Sequence, residues 1–292
     1  MAAHHSFDAG RDARSVCHPQ CESFSRASGM PARARTRMRA RRHAFGMALL
    51  AAAFPVSLVL SPQQAAAQDA GSGFLFQQPS GSFTLSGGYA HANAGSDLFA
   101  FTTQQFTLNR SDFSGPMLGA DVAFTVAPRF DVVLSASYNS SSSPSHYRKF
   151  VDQSNREITQ TTQFRRIPVM LSGRAYLTPQ GRSIGKFAWV PSRFAPYVGV
   201  GAGAIQYTFE QKGDFVDYQN LNAVFSGDFK SSGWSPAAQG LVGANLSLSP
   251  RLALNGEAKY IWAKGSLNQS FSGFNKLDLS GFATTLGLTI RY

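Results

Sequence analysis

Two histidines, His91 and His146, are the only ones after residue 67. Histidine is the usual general base for a serine or cysteine nucleophile, and such a pair needs hydrogen-bond reach plus a third group to orient the base. Neither histidine sits in a recognisable catalytic motif. His146 follows the serine-rich run Ser140–Ser145, where a nearby serine carries little information. The only cysteines, Cys17 and Cys21, fall in the first 37 residues, which leaves the rest without disulfides, thiol catalysis or Cys-ligated zinc. Gly199-Val-Gly-Ala-Gly203 looks superficially like a phosphate-binding loop, but its spacing is wrong and no helical pattern follows. These alternating glycines read better as a strand that makes room for large neighbours. A non-enzymatic chain is expected, with no catalytic, cofactor or metal residue assigned. The remaining chemistry lies in six charged residues set among alternating apolar ones: Asp121, Arg166, Arg174, Glu257, Lys259 and Arg291.

The elements that must position them are strands. In a strand, side chains alternate between faces, and alternation bounded by turn signals divides 68–292 into eight candidates. They run over about Gly81–Asn93, Met117–Ala127, Phe130–Asn139, Gln163–Leu177, Pro196–Phe209, Trp234–Leu248, Leu252–Trp262 and Phe282–Tyr292. The last is the clearest. Phe282, Thr284, Leu286, Leu288, Ile290 and Tyr292 form one face, and Ala283, Thr285, Gly287, Thr289 and Arg291 the other. Tilted by about 40°, such a strand spans roughly 25–28 Å, close to the ~25 Å apolar band of an outer-membrane barrel. Within Pro196–Phe209 the parity stays open, with Val198, Val200 and Ala202 opposed to Tyr197, Gly199, Gly201 and Gly203.

Connections alternate in kind. Ala127-Pro-Arg129 and Ser249-Pro-Arg251 are tight, whereas about 94–116, 140–162, 210–233 and 263–277 are long and polar. Only Thr178–Ala195 is long on the tight-turn side. Short turns at one end and long loops at the other are what a membrane barrel requires. Aromatics form two candidate girdles: Tyr89, Tyr138, Tyr207, Phe209, Tyr260, Trp262, Trp234 and Phe282 at one end, and Phe130, Tyr197 and Tyr292 at the other.

The N-terminal segment 1–67 is different. Residues 38–67 carry a basic start, the apolar run Ala44–Leu60 and small residues at Ala65 and Ala67, the pattern of a secretory signal peptide cleaved after Ala67. An uncleaved anchor is the competing reading, disfavoured by Pro55 and the Ala-x-Ala ending. Residues 1–37 are expected to be a basic disordered extension or a mis-assigned start. The net charge of +11 does not imply nucleic acid. Residues 1–67 hold 9 Lys and Arg against 3 Asp and Glu, and the remainder holds 18 against 13 without a basic stripe.

On Ala-Pro-Arg-Phe-Asp131, Ala-Pro-Tyr-Val-Gly-Val-Gly-Ala-Gly203, Leu-Ser-Pro-Arg-Leu-Ala-Leu254 with Glu257 and Tyr260, and the closing strand, the chain resembles the outer-membrane β-barrel domain family. Its relatives there are the small barrels akin to OmpA, OmpX and OmpW. The resemblance implies an all-β fold: one antiparallel transmembrane barrel, most simply of eight strands, over 68–292 in the bacterial outer membrane. It also implies an assembly signal in Phe282, Leu286, Leu288, Ile290 and Tyr292, read by the barrel assembly machinery. Outer-membrane lipid and lipopolysaccharide are the expected surroundings, and a monomer the expected state. The peptidoglycan-binding domain of the OmpA branch is expected to have no counterpart here.

In such a barrel the six charges face a lumen just wide enough for side chains to fill. Buried charges must pair, so they form either a salt-bridge plug, the favoured reading, or a gated polar path for small solutes. The loop aromatics Phe99, Phe101, Phe106, Phe113, Phe215, Tyr218, Phe225, Phe229, Phe271 and Phe274 either pack where strands continue above the membrane or form an apolar entry or adhesive surface. Thr178–Ala195, with Arg182, Lys186, Phe187, Trp189 and Arg193, is read as an interfacial anchor, with a periplasmic partner as the alternative. The expected function is structural or loop-mediated interaction. A narrow channel for small or hydrophobic solutes is second, and lipid A modification third.

Overall fold

The computed structural model describes residues 73–217 and 223–292. The expected leader 38–67, the segment 1–37, both cysteines and Tyr218 lie outside the described residues. In chain order the elements are β1 (Gly81–Ala92), α1 (Asp97–Gln105), a short 3-10 turn (Arg110–Phe113), β2 (Gly115–Ala127), β3 (Phe130–Val151) and β4 (Glu157–Tyr176). A small hairpin of β5 (Gly181–Ile184) and β6 (Ala188–Pro191) precedes β7 (Phe194–Asp217), β8 (Ala223–Ser247), β9 (Leu252–Gly265), a second 3-10 turn (Gln269–Phe271), β10 (Leu277–Asp278) and β11 (Gly281–Arg291).

Eight of these strands close on themselves. Running round the ring, β1, β2, β3, β4, β7, β8, β9 and β11 each pair antiparallel with both neighbours, and β11 returns to β1. Leu85 of β1 faces Leu288 of β11 on one side and Ala120 of β2 on the other. Closure leaves no unpaired edge inside the lipid, which a membrane demands of any sheet.

The period of two sets the wall. Phe83, Leu85, Leu118, Val132, Leu134, Leu171, Val198, Val200, Val242, Leu254, Leu286, Leu288 and Ile290 all point outward, whereas Thr84, Ser86, Asp121, Ser135, Ser172, Arg174, Gln239, Asn255, Glu257, Thr285 and Thr289 are buried inside. An apolar band on every strand, with Leu118 at 67% and Leu286 at 66% exposure, is a surface for lipid rather than water. Tyr89, Tyr138, Trp234, Trp262 and Phe282 ring it at the end bearing the long connections, and Phe124, Phe130, Phe194 and Tyr292 at the other.

Three expectations change. First, about 140–162 and 210–233 are not loops: β3 with β4, and β7 with β8, run on as paired strands well past the band. Second, 94–116 contains α1 and the 3-10 turn instead of irregular loop. Third, Tyr197, Tyr207 and Phe209 belong to no girdle. β7 places Val198, Val200 and Ala202 outward, so its odd-numbered residues face inward, and these three rings are buried in the interior.

Candidate functional site

The glycines of β7 make the lumen site possible. Gly199, Gly201 and Gly203 stand directly across from Arg174, Ser172 and Met170 of β4. A Cβ at Gly201 would lie 2.3 Å from Ser172 Oγ, and one at Gly203 2.1 Å from the Val169 carbonyl oxygen. Only glycine lets the two strands approach while β4 fills the lumen with its own long side chains.

Arg174 uses that room to reach across the barrel. Its Nη2 donates to Asp121 Oδ2 of β2 at 2.9 Å and to Glu257 Oε2 of β9 at 2.8 Å. Lys259 Nζ lies 3.5 Å from Glu257 Oε1. Two cations thus meet two carboxylates, and the group is neutral as a whole. Tyr197 Oη donates to Glu257 Oε2 at 3.0 Å, and the Arg174 guanidinium lies over the Tyr197 ring at 5.0 Å. Asn255 Nδ2 donates to Tyr197 Oη and to Asn245 Oδ1, both at 2.8 Å, and Asn245 Nδ2 to Tyr176 Oη at 3.3 Å. Charges removed from water cost several kcal/mol each unless paired and hydrogen-bonded; this lattice pairs them, and leaves Arg174 Nε buried without a partner among the described residues.

Arg166 and Arg291 are buried in the lumen but stand outside the lattice. Arg166 Nη2 donates to Asn139 Oδ1 at 3.1 Å and Nη1 to the Leu279 carbonyl at 3.1 Å, beside a cavity of about 20 Å³. Arg291 Nη1 donates to the Pro250 carbonyl at 3.3 Å and Nη2 to Ser247 Oγ at 2.8 Å, and its guanidinium lies 5.9 Å over Trp189. Both hold neutral oxygens instead of carboxylates, because the register puts them near opposite ends of the lumen, away from Asp121 and Glu257. Sequence reasoning passed over Tyr176, Tyr197, Asn245, Gln239 and Asp131. All share the inward parity of the charges, which was the signal available.

The mouth with the short turns is also filled. Trp189 of β6 pairs its backbone with Leu75, 2.8 Å and 2.7 Å in the two directions, and its ring is buried. Gln180 Nε2 donates to the buried carboxylate of Asp131 at 3.0 Å. Trp189 therefore faces inward, away from the interface, while Phe187 at the hairpin tip remains 76% exposed.

Beyond Arg166 the interior becomes aromatic. Phe99, Phe113, Phe164, Phe209 and Phe271 are fully buried, and Phe99 lies 4.6 Å from Phe113, 5.3 Å from Phe164 and 5.7 Å from Phe209 between ring centres. Phe106 packs on Tyr147 at 4.6 Å, and Phe215 on Phe229 at 4.8 Å. α1 is fastened over this core: Asp97 Oδ2 accepts from the backbone and side-chain amides of Asn275, each at 2.9 Å, and Asp278 Oδ2 accepts from Gly95 N at 3.0 Å.

His91 Nδ1 lies 3.1 Å from Ser114 Oγ. That hydroxyl also accepts the Ala92 amide at 3.1 Å, and Ser114 is buried. Among the described residues no carboxylate contacts His91. His146 contacts Thr107 Oγ1 at 3.4 Å and Glu157 at 3.6 Å.

The C-terminal residues stitch the seam. The Tyr292 amide donates to the Gly81 carbonyl at 3.0 Å, and its own carbonyl accepts from Ser80 N at 2.9 Å. Phe282, Leu286, Leu288, Ile290 and Tyr292 all face outward.

No curated protein matches the chain in sequence. Similar solved structures include Neisserial surface protein A (13% identical, TM-score 0.39, covering 76% of this chain and 98% of that one). OprG from Pseudomonas aeruginosa is 16% identical, with a TM-score of 0.40 over 75% of this chain and 99% of its own. Ail, the attachment invasion locus protein of Yersinia pestis, is 11% identical, with a TM-score of 0.36 over 73% and 99%. The model of the outer membrane protein beta-barrel domain matches residues 51–289, and the chain belongs to that family of bacterial outer-membrane proteins.

Proposed function

We propose that this protein is a closed, non-enzymatic outer-membrane barrel whose long hairpins form an ordered external platform for interaction. The observation that carries this reading is the pair of plugs in series. The Arg174–Asp121–Glu257–Lys259 lattice fills the membrane half of the lumen, and the Phe99–Phe164–Phe209 core fills the external half. A hydrated path would need water-lined gaps through both. The barrel is expected to stand as a monomer, with lipopolysaccharide around its outer girdle.

Liposome swelling tests the closed state. Proteoliposomes are expected to exclude small sugars and amino acids, and rapid swelling would favour the channel reading. The non-enzymatic reading is supported by a Ser114 hydroxyl already engaged by the Ala92 amide, and by the lack, among the described residues, of a carboxylate that would orient His91. Mass spectrometry of lipid A incubated with the purified barrel is expected to show no change. A modified product that disappears with His91→Ala would replace this proposal with a catalytic one.

A further inference from the structure

The two hairpins that rise beyond the membrane treat their edges differently. The outer edge of β3 is covered. Phe106 bridges Tyr147, the Thr107 amide donates to the His146 carbonyl at 2.9 Å, and Arg148 donates to the carbonyls of Thr103 and Leu108. β8 is different. Its pairing with β9 begins at Ala237, whereas its pairing with β7 continues to Ala223. Asn268 covers positions 230 and 231, through its side chain to the Lys230 carbonyl and its backbone to Ser231 Oγ. Among the described residues, 223–229 has no strand beside it on that side.

We propose that this edge is a docking site that takes an extended segment of another polypeptide as an added strand. It rests on the external-platform reading above and specifies what the platform recognises. A strand residue aims its N–H and C=O to the same side. The Lys230 carbonyl faces the open side, toward Asn268, so the backbones of Val224, Ser226 and Asp228, of the same parity, face it too. Among the described residues nothing pairs with them on that side, which leaves donors and acceptors in the pattern that strand addition uses.

The side chains set the chemistry of the partner. Phe225 and Phe229 point inward, half-buried, and stack with Phe215 at 6.0 Å and 4.8 Å between ring centres. Val224, Ser226 and Asp228 point outward and are exposed. An added strand therefore needs apolar side chains at alternate positions, to continue the aromatic surface at the edge, and polar ones between them. A second copy in the same membrane does not fit. Its axis is parallel to the first, and strands tilted by about 35–45° would cross at roughly twice that angle instead of forming a ladder. The partner is a separate extended chain arriving from outside the cell.

The test uses the full barrel in nanodiscs and a fluorescein-labelled heptapeptide that alternates threonine with phenylalanine and valine. Saturable binding is expected, with amide exchange slowed at Ser226 and Asp228. Asp228→Pro removes one edge donor without touching the β7 ladder and should weaken binding about fivefold. Lys212→Ala, on the neighbouring strand, should leave it unchanged. Heat-modifiable migration verifies that each variant is folded, and Val224→Pro serves as a second edge variant if Asp228→Pro does not fold. Absence of saturable binding, binding indifferent to the edge prolines, or exchange protection elsewhere would overturn the proposal. The closed-lumen reading would stand in each of those cases, because it is measured by solute passage.

Discussion

The membrane half and the external half of the barrel are built from the same strands with opposite chemistry. On β4, Ile167, Val169 and Leu171 point out and Arg166, Ser172 and Arg174 point in. Ten residues or fewer toward the external end, Thr159, Gln163 and Arg165 point out while Ile158 and Phe164 point in. β7 repeats the exchange, from Val198 and Val200 outside with glycines inside, to Thr208, Glu210 and Lys212 outside with Tyr207, Phe209 and Phe215 inside. Parity never slips. Only the solvent changes. In lipid there is no hydrophobic gain from an apolar interior, so that half is held by its closed ladder and paired charges. In water the same hairpins need an ordinary apolar core, and each fully buried phenylalanine contributes about 1.5–3 kcal/mol.

This contrast can be broken most strongly in the membrane half. Arg174→Met leaves Asp121 and Glu257 facing each other without their shared cation. It should cost about 3–5 kcal/mol, read as a lower urea midpoint for the barrel. Next comes Phe99→Ala in the external half, at about 3 kcal/mol. Its effect should fall on the cap alone, with faster proteolysis and amide exchange around Tyr147, Ile158 and Phe164 and an unshifted barrel midpoint. A smaller change, Asp97→Ala, releases the two amides of Asn275 and should raise exchange in α1 by about 1 kcal/mol.

The smallest effect lies at the β3–β4 tip. The Asp152 carboxylate accepts the Arg156 amide, the Ser154 amide and Arg156 Nε at 2.8, 2.8 and 2.9 Å. The Arg156 amide is the main cause that holds it below its ordinary 3.8. A folded value depressed below the unfolded one stabilises the turn above that ordinary value, and the gain is lost as pH falls through the folded one. Amide shifts of Ser154 and Arg156 should therefore stay constant from neutral pH down to about 4 and move only below it. Movement near pH 6 would refute the assignment.

Much of the membrane half was legible in sequence. Apolar alternation placed all eight barrel strands, and constant parity put Asp121, Arg174, Glu257 and Lys259 on one inner surface. Which of those inner charges meet was not legible. Arg166 and Arg291 share the parity, but their positions along β4 and β11 set them at other heights, where backbone carbonyls, the Asn139 amide and the Ser247 hydroxyl serve instead. The external half was harder to read because its alternation inverts: Ser140 onward on β3 and Glu210 onward on β7 read as polar loop once outward positions turn hydrophilic. Height along the strand alone suggests a girdle for Tyr207 and Phe209, whereas the inward parity of Gly199, Gly201 and Gly203 extends to them.

The most direct test of the two-plug account is single-channel recording in planar bilayers. Wild type, Glu257→Gln and Phe99→Ala should each show no steady conductance, because either plug alone blocks the path, and only the double variant should open. Steady ohmic current through the wild type, or opening by Phe99→Ala alone, would contradict the account.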